Sequence, residues 1–383
     1  MKILFVTAQA HSVSQGGGGS YTRSVLRRLR LAYPQADIES FHLAPNSLYT
    51  GLPRSLRKGV ALLGSAASRQ PAKTLFAVGL SAKKKLKERL SQQLPELVIF
   101  NSTELLGLAE MLPPGLPAFV VAHNVESALT LGEAAQATSR VTAQILSHQA
   151  KLFATSETRL LPTLSGIITI SSHDKSHYQS LGQTIRLLVL PPSFDTEPHE
   201  PTGAIPSGAL KVGFLGTFSW WPNREALSWF MGQVLNKLPP NSVHLNVYGR
   251  GSKALVEPQN PAATGHGFVS ELADVWANNN LMICPTQSGS GVNIKLADSL
   301  YNGLPTVATP NAVRGLEPIA GEGLRILETA SQWLSFFMGD DATQFASEAV
   351  APELRQRFQD QTYASQLRTF LSAPSPATNQ ASH

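Results

Sequence analysis

A single cysteine, Cys284, stands in 383 residues. The chain therefore builds no internal disulfide framework and no metal site of several thiolates, and the cysteine usage fits a reducing compartment, with the cytoplasm as the expected location. Charge is scarce at 15%, and no uncharged apolar run approaches the ~18 residues that span a bilayer, which excludes an integral helical membrane protein. The 29 glycines and 26 prolines keep no collagen-like period, and 42% of the chain is hydrophobic, so fibre and disorder are excluded as well. Met1 to Ala10 has the outline of a leader, with Lys2 and an Ala8-Gln9-Ala10 end, but its apolar stretch falls short of the ~7 to 15 residues of a secretory core. It reads as a first β-strand. The length exceeds one typical domain of ~100 to 200 residues, and two domains are expected.

What charge there is lies unevenly. Up to Leu190 there are 20 basic and 10 acidic residues, net +10, and beyond it 11 and 16, net −5. Arg54, Arg57, Lys58, Arg69, Lys73, Lys83, Lys84, Lys85, Lys87 and Arg89 face only Glu88 within their stretch, and Leu56, Val60, Leu63 and Leu86 are spaced among them. Residues 54–89 thus read either as a solvated helix face with a loop or as a cationic amphipathic stretch for an anionic membrane surface. A nucleic-acid partner rests on this patch alone and is not expected.

Short apolar runs alternate with helical segments in two series, the pattern of doubly wound parallel sheets. Strands are expected at Lys2 to Thr7, Ile38 to Leu43, Leu97 to Phe100, Ala118 to Ala122, Gly166 to Ile170 and Ile185 to Leu190. A second set is expected at Lys211 to Leu215, Val243 to Tyr248, Leu281 to Cys284, Thr306 to Ala308 and Leu324 to Ile326. The fold class is α/β with two Rossmann-like domains. The proline-rich stretch between the series reads as a linker.

In such sheets ligands bind beyond the carboxyl ends of the strands. Gly16-Gly17-Gly18-Gly19 leads into a helix whose unpaired N–H groups favour an anion. It is a poor dinucleotide fingerprint, because Tyr21 stands where a third glycine would fall. His123, in His123-Asn124-Val125-Glu126, ends an apolar strand and is placed to donate a hydrogen bond or take a proton, unless it is a satisfied structural histidine. Gly216-Thr217 opens a third loop, with Asn223 and Arg224 beyond it. The fourth, Ser288-Gly289-Ser290-Gly291-Val292-Asn293-Ile294, enters a helix bearing Lys295 and Asp298. Backbone N–H groups near Asn293 and Ile294 suit phosphate oxygens, Lys295 adds charge, and Asp298 suits ribose hydroxyls.

These loops, in this order, resemble glycosyltransferase family 4 (group 1) enzymes of the GT-B fold, along nearly the whole chain. The pieces that carry the resemblance are the glycine loop, His123 to Glu126, Ile168 to Asp174, Leu190 to Asp195 and Phe214 to Thr217 with Trp221-Pro222-Asn223. Tyr248 to Gly251, Gly265 to Val269, Gly289 to Asp298 and Gly303 to Thr309 complete the set. The resemblance implies two Rossmann-like domains facing a central cleft. They are an acceptor domain over 1–192, a linker over 193–209 and a nucleotide-sugar domain over 210–351, with a helix over 352–371 returning towards the N-terminal domain and a flexible tail over 372–383. It further implies retaining, metal-independent transfer of a hexose from a UDP- or GDP-sugar to a glycan or lipid-linked acceptor, with no cofactor. The setting implied is surface glycan or glycolipid assembly at the inner face of the cytoplasmic membrane. Gly17, Gly18, His123 and Lys295 would serve catalysis. Donor binding would fall to Gly216, Thr217, Asn223, Arg224, Arg250, Phe268, Val269, Ser290, Gly291, Val292, Asn293, Ile294 and Asp298.

The chain departs from the family at one place. Members carry two acidic residues eight positions apart, and here the first falls on Ser290 while Asp298 holds the second. A non-catalytic sugar-nucleotide or glycan binder and a nucleotide-sugar epimerase are the alternative readings.

Overall fold

The computed structural model describes residues 1–8, 17–43, 52–181, 185–194, 198–199, 208–256, 261–289, 291–317 and 319–373. The chain divides into two compact units, Met1–Pro191 with Tyr363–His383, and Pro192–Thr362.

The first unit is built on six parallel strands: β1 (Lys2–Thr7), β2 (Asp37–His42), β3 (Leu97–Phe100), β4 (Ala118–Ala122), β5 (Gly166–Thr169) and β6 (Leu187–Val189), in the order β2-β1-β3-β4-β5-β6. Continuous apolar runs make the central strands, as expected where helices cover both faces of a sheet. Val98, Ile99 and Phe100 are sealed from solvent, as are Phe119, Val120 and Val121. Helix α1 (Gly17–Ala32) has three glycines in its first turn. First-turn N–H groups have no intrahelical acceptor in any case, so low glycine propensity argues little there.

The stretch 54–89 forms three helices, α2 (Arg54–Ser68), α3 (Ala72–Ala77) and α4 (Leu80–Gln92). After β4 come α5 (Glu126–Ala135) and α6 (Arg140–Leu160), and α7 (Ser172–Ser180) comes after β5. Residues 103–111 wind as 3₁₀ turns started by Ser102, whose hydroxyl accepts from the Glu104 N–H at 3.1 Å.

The second unit has β7 (Leu210–Leu215), β8 (Val243–Tyr248), β9 (Ala263–Gly267), β10 (Leu281–Cys284), β11 (Thr306–Ala308) and β12 (Leu324–Ile326), ordered β12-β11-β10-β7-β8-β9 and all parallel. The strand order therefore reverses between β7 and β10, the position at which such sheets take ligands. The helices that bear on the site are α8 (Trp221–Gln233) and α9 (Ile294–Tyr301). Edge strand β9, Ala-Thr-Gly-His-Gly, is absent from the expected strands because it has no apolar run or alternation to betray it.

The expected linker is largely outside the described residues, and its described start is packed. Ser193 and Phe194 are buried, the Ser193 hydroxyl donates to Asp360 Oδ1 at 2.5 Å, and Phe194 stacks on Tyr301 at 5.3 Å. The expected final helix is two, α10 (Pro352–Gln356) in the second unit and α11 (Gln361–Ser372), most of which belongs to the first. Arg186 donates to the Phe370 and Ala373 carbonyls and lies over the Phe370 ring at 4.8 Å. Residues 374–383 of the expected tail lie outside the described residues.

Candidate active site

In the first unit the reversal of strand order falls between β1 and β3. Asn101 comes directly after β3, and its N–H donates to the Val6 carbonyl at 2.8 Å. His123 comes directly after β4, and the first turn of α1 holds Gly17 and Gly18. His123 Nε2 lies 3.0 Å from Asn101 Oδ1, Asn101 Nδ2 donates to Thr22 Oγ1 at 2.9 Å, and the Thr22 hydroxyl donates to the Gly18 carbonyl at 3.0 Å. The Tyr21 ring meets the imidazole edge-on at 5.2 Å and is itself pinned by its hydroxyl, which donates to the Leu190 carbonyl at 2.7 Å. A methyl placed on Gly18 would stand 3.9 Å from His123 Nδ1, so the missing side chain keeps Gly18 clear of that nitrogen. Burial, with the Lys73 charge as a second cause, pushes the imidazole down to about 4, and His123 is neutral at physiological pH.

Lys73 bridges Glu104 at 2.5 Å and the buried Glu126 at 2.9 Å. Arg89 engages the Glu39 carboxylate with both its Nε and a terminal nitrogen. Lys73 and Arg89 of the 54–89 patch are thus matched by carboxylates distant in sequence. Lys58, Lys84, Lys85 and Lys87 are exposed, as are Leu56 at 55% and Leu63 at 74%.

In the second unit, Gly216 and Thr217 come after β7 and the Ser288–Gly291 loop comes after β10. Lys295 Nζ donates to Asn223 Oδ1 at 2.5 Å, and Asn223 Nδ2 donates to the Thr217 carbonyl at 3.0 Å. One ammonium therefore ties the α9 helix to the Gly216-Thr217 loop. Desolvation lowers the Lys295 pKa, and the ammonium lies 5.4 Å from the centre of the Phe214 ring. Close packing requires Gly249, where φ is 121° and a Cβ would collide with the Gly216 carbonyl oxygen. Gly289 and Gly291 also take positive φ, 107° and 85°.

The remaining expected residues divide. Arg224 donates to the carbonyls of Phe218 at 2.8 Å and Ser219 at 3.0 Å, which commits it to shaping the loop. Asn293 gives its amide to the Ala312 carbonyl at 3.0 Å. Val292 and Ile294 pack against the core around Cys284 and Leu296. Arg250 lies over the Phe268 ring at 5.1 Å, with Phe268 56% exposed, and Val269 packs on the cluster of Tyr248 and Trp276. Asp298 Oδ1 accepts from Asn302 Nδ2 at 3.0 Å, and desolvation pushes its carboxyl up to about 7. Ser290 lies outside the described residues.

Sequence reasoning passed over Asn101, Thr22 and Arg314, whose Nη2 donates to the Gly289 carbonyl at 2.5 Å. Asn101 could have been found from its place directly after a buried strand, as His123 was. Among the described residues no group of three or more His, Cys, Asp or Glu side chains could hold a metal ion, and no helix is long and apolar enough to cross a membrane.

Residues 209–351 match the model of the family described as Glycosyl transferases group 1. The matched residues all lie in the second unit. The matched segment takes in the loops after β7 and β10. The two-sheet architecture is that of GT-B glycosyltransferase structures. Sucrose-phosphate synthase from Thermosynechococcus elongatus is 14% identical with a TM-score of 0.66, covering 96% of this chain and 97% of that one. Anabaena HepE, in complex with UDP and glucose, is 15% identical with a TM-score of 0.63, covering 97% and 99%. The lipopolysaccharide outer core galactosyltransferase WaaB is 13% identical with a TM-score of 0.57, covering 97% and 99%. No curated protein matches the chain in sequence.

Proposed function

We propose that the chain is a retaining, metal-independent glycosyltransferase that moves a hexose from a UDP- or GDP-sugar to an acceptor hydroxyl in surface glycan or glycolipid assembly. The observation that carries this reading is the desolvated Lys295 ammonium, tied through Asn223 to the Gly216-Thr217 loop at the switch point of the second sheet. A nucleoside diphosphate leaves with growing negative charge. A cation held in place before reaction stabilises that charge without reorganising at the moment of transfer. Lys295 would do this with the N–H groups at the start of α9, and in the first unit the first-turn N–H groups of Gly17 and Gly18 would serve as an anion site of the same kind. Asp298 would accept from the ribose, and neutral His123 would contact the transferred sugar or the acceptor. Support for a uridine donor comes from HepE, solved with UDP and with UDP-glucose.

For the acceptor we propose a lipid-linked glycan reached at an anionic membrane surface. The exposed Leu56 and Leu63 of α2, seven residues apart and so on one side of the helix, together with the exposed lysines of α2 and α4, support this reading.

Release of nucleoside diphosphate should depend on acceptor, apart from a slow hydrolysis. A screen of UDP- and GDP-sugars by that hydrolysis selects the donor. An altered sugar without acceptor dependence would make the chain an epimerase, and tight donor binding with no turnover would make it a binder.

A further inference from the structure

The sequence does not say which nitrogen of His123 faces the substrate, and the hydrogen-bond chain behind it does. The Thr22 hydroxyl has one proton, and that proton goes to the Gly18 carbonyl. Its oxygen must then accept from Asn101, so the Asn101 side chain presents its NH₂ to Thr22 and its carbonyl oxygen to His123. A carbonyl oxygen 3.0 Å from Nε2 can only accept, so the imidazole carries its proton on Nε2 and leaves Nδ1 as a bare acceptor. Nδ1 is the atom nearest to where a side chain at position 18 would stand, and glycine puts none there.

We infer that Asn101 and Thr22 are positioning residues that lock His123 in the Nε2–H tautomer and dedicate Nδ1 to accepting a hydrogen bond from a hydroxyl of the transferred sugar or of the acceptor. The inference rests on the glycosyltransferase reading for its substrate, but the tautomer stands without it. Two observations make this a purpose-built relay rather than ordinary packing. Asn101 sits at the switch point of the first sheet and is buried, where an unpaired amide would be costly, and Thr22 is buried beside it. The donors also run in one direction, from imidazole to amide to hydroxyl to backbone, so each bond polarises the next.

Full-length protein labelled with ¹⁵N at histidine, in wild-type form and as Asn101→Leu, Thr22→Val and Thr22→Ser, tests the inference in two ways. Imidazole ¹⁵N shifts report the tautomer with no substrate present. The wild type and Thr22→Ser should show Nε2 protonated and Nδ1 bare, while Thr22→Val and Asn101→Leu should show exchange between tautomers. Nucleoside diphosphate release should then fall in kcat by about tenfold for Thr22→Val, the size of one lost hydrogen bond, with donor KM little changed and Thr22→Ser restoring the rate. Wild-type protein with Nδ1 protonated, or a Thr22→Val variant with an unshifted tautomer, would overturn the inference. The correct tautomer in a protein that releases no nucleotide from any donor would instead sink the transferase reading and leave the relay standing. Should Asn101→Leu fail to fold, Thr22→Val, which keeps the side-chain shape, decides alone.

Discussion

The Lys295 ammonium lies 2.5 Å from the side-chain oxygen of Asn223, which is buried beneath the Gly216-Thr217 loop, and the ammonium itself is desolvated. A desolvated cation with a single side-chain oxygen partner among the described residues is partly unsatisfied until an anion arrives, which is what a phosphate site requires. Lys295→Met keeps the apolar stem and removes the charge. It should melt at or above the wild-type temperature and weaken donor binding by about tenfold or more, as for a lost charged hydrogen bond. Asn223→Leu strands the ammonium and should lose about 1 to 3 kcal/mol of stability. Thermal melts and donor titrations on the pair check this, and Lys295→Met with unaltered donor affinity contradicts it.

His123→Ala should lower turnover and leave the fold intact, because the residue lies at the end of β4 rather than in its core. Turnover at saturating donor and acceptor is the measurement, with circular dichroism as the control. An unchanged rate returns His123 to a structural role.

Asp298→Ala should raise the donor KM more than Ser290→Ala does, by the ~1.5 to 3 kcal/mol of a hydrogen bond to a charged group. Asp298 already accepts from Asn302 through one oxygen, which orients the carboxyl and leaves the other oxygen for the ribose. A larger loss from Ser290→Ala shows that the loop register is wrong.

Glu157 predicts a pH dependence of stability. Burial pushes its carboxyl from 4.5 up to about 7, with the Ser127 hydroxyl donating to Oε2 at 2.7 Å and Oε1 buried without a partner. Between pH 4.5 and 7 the folded protein holds a proton that the unfolded chain has lost, so this contribution is full below 4.5 and disappears as pH rises through 7. Glu157→Gln should therefore gain on the wild type by up to about 3 kcal/mol between pH 5 and pH 8. Urea titrations of both proteins at the two pH values test it, and the comparison cancels Asp298, which shifts in the same sense, and His123, which shifts in the opposite one.

Co-sedimentation with liposomes should need anionic lipid and weaken with salt. Leu63→Asp, on the most exposed apolar side chain of α2, should reduce it with no change in turnover on a water-soluble acceptor. Equal binding to neutral vesicles, or none, removes the membrane from the proposal.

Strand positions were legible because a sealed strand such as Val98-Ile99-Phe100 is a short apolar run, and both sheets contain such strands, β3, β4 and β5 in the first and β10 and β11 in the second. Edge strand β9 was not, since Ala-Thr-Gly-His-Gly takes its pairing from β8 rather than from its own composition. In the site, the loops bearing His123 and Lys295 were readable from glycine patterns and from the residues at the carboxyl end of each strand. The partners were not. Asn223 is 72 residues from Lys295, Asn101 is 22 from His123, and Lys73 meets Glu126 across 53. The 54–89 patch showed the same limit, because the glutamates that take up Lys73 and Arg89 lie outside the stretch whose charges were counted.

The first unit is not contiguous in sequence. Gly166 in β5 has no room for a Cβ because the Phe370 ring would lie 2.6 Å away, and Arg186 finds its acceptors on the same late helix. During synthesis the first six strands must therefore wait, with the surface meant for Phe370, Leu367 and Leu371 uncovered, until about 170 further residues have emerged and the second unit has been made. A gene fragment ending after Pro191 would yield an aggregating product, and supplying residues 357–373 as a separate peptide should rescue its solubility.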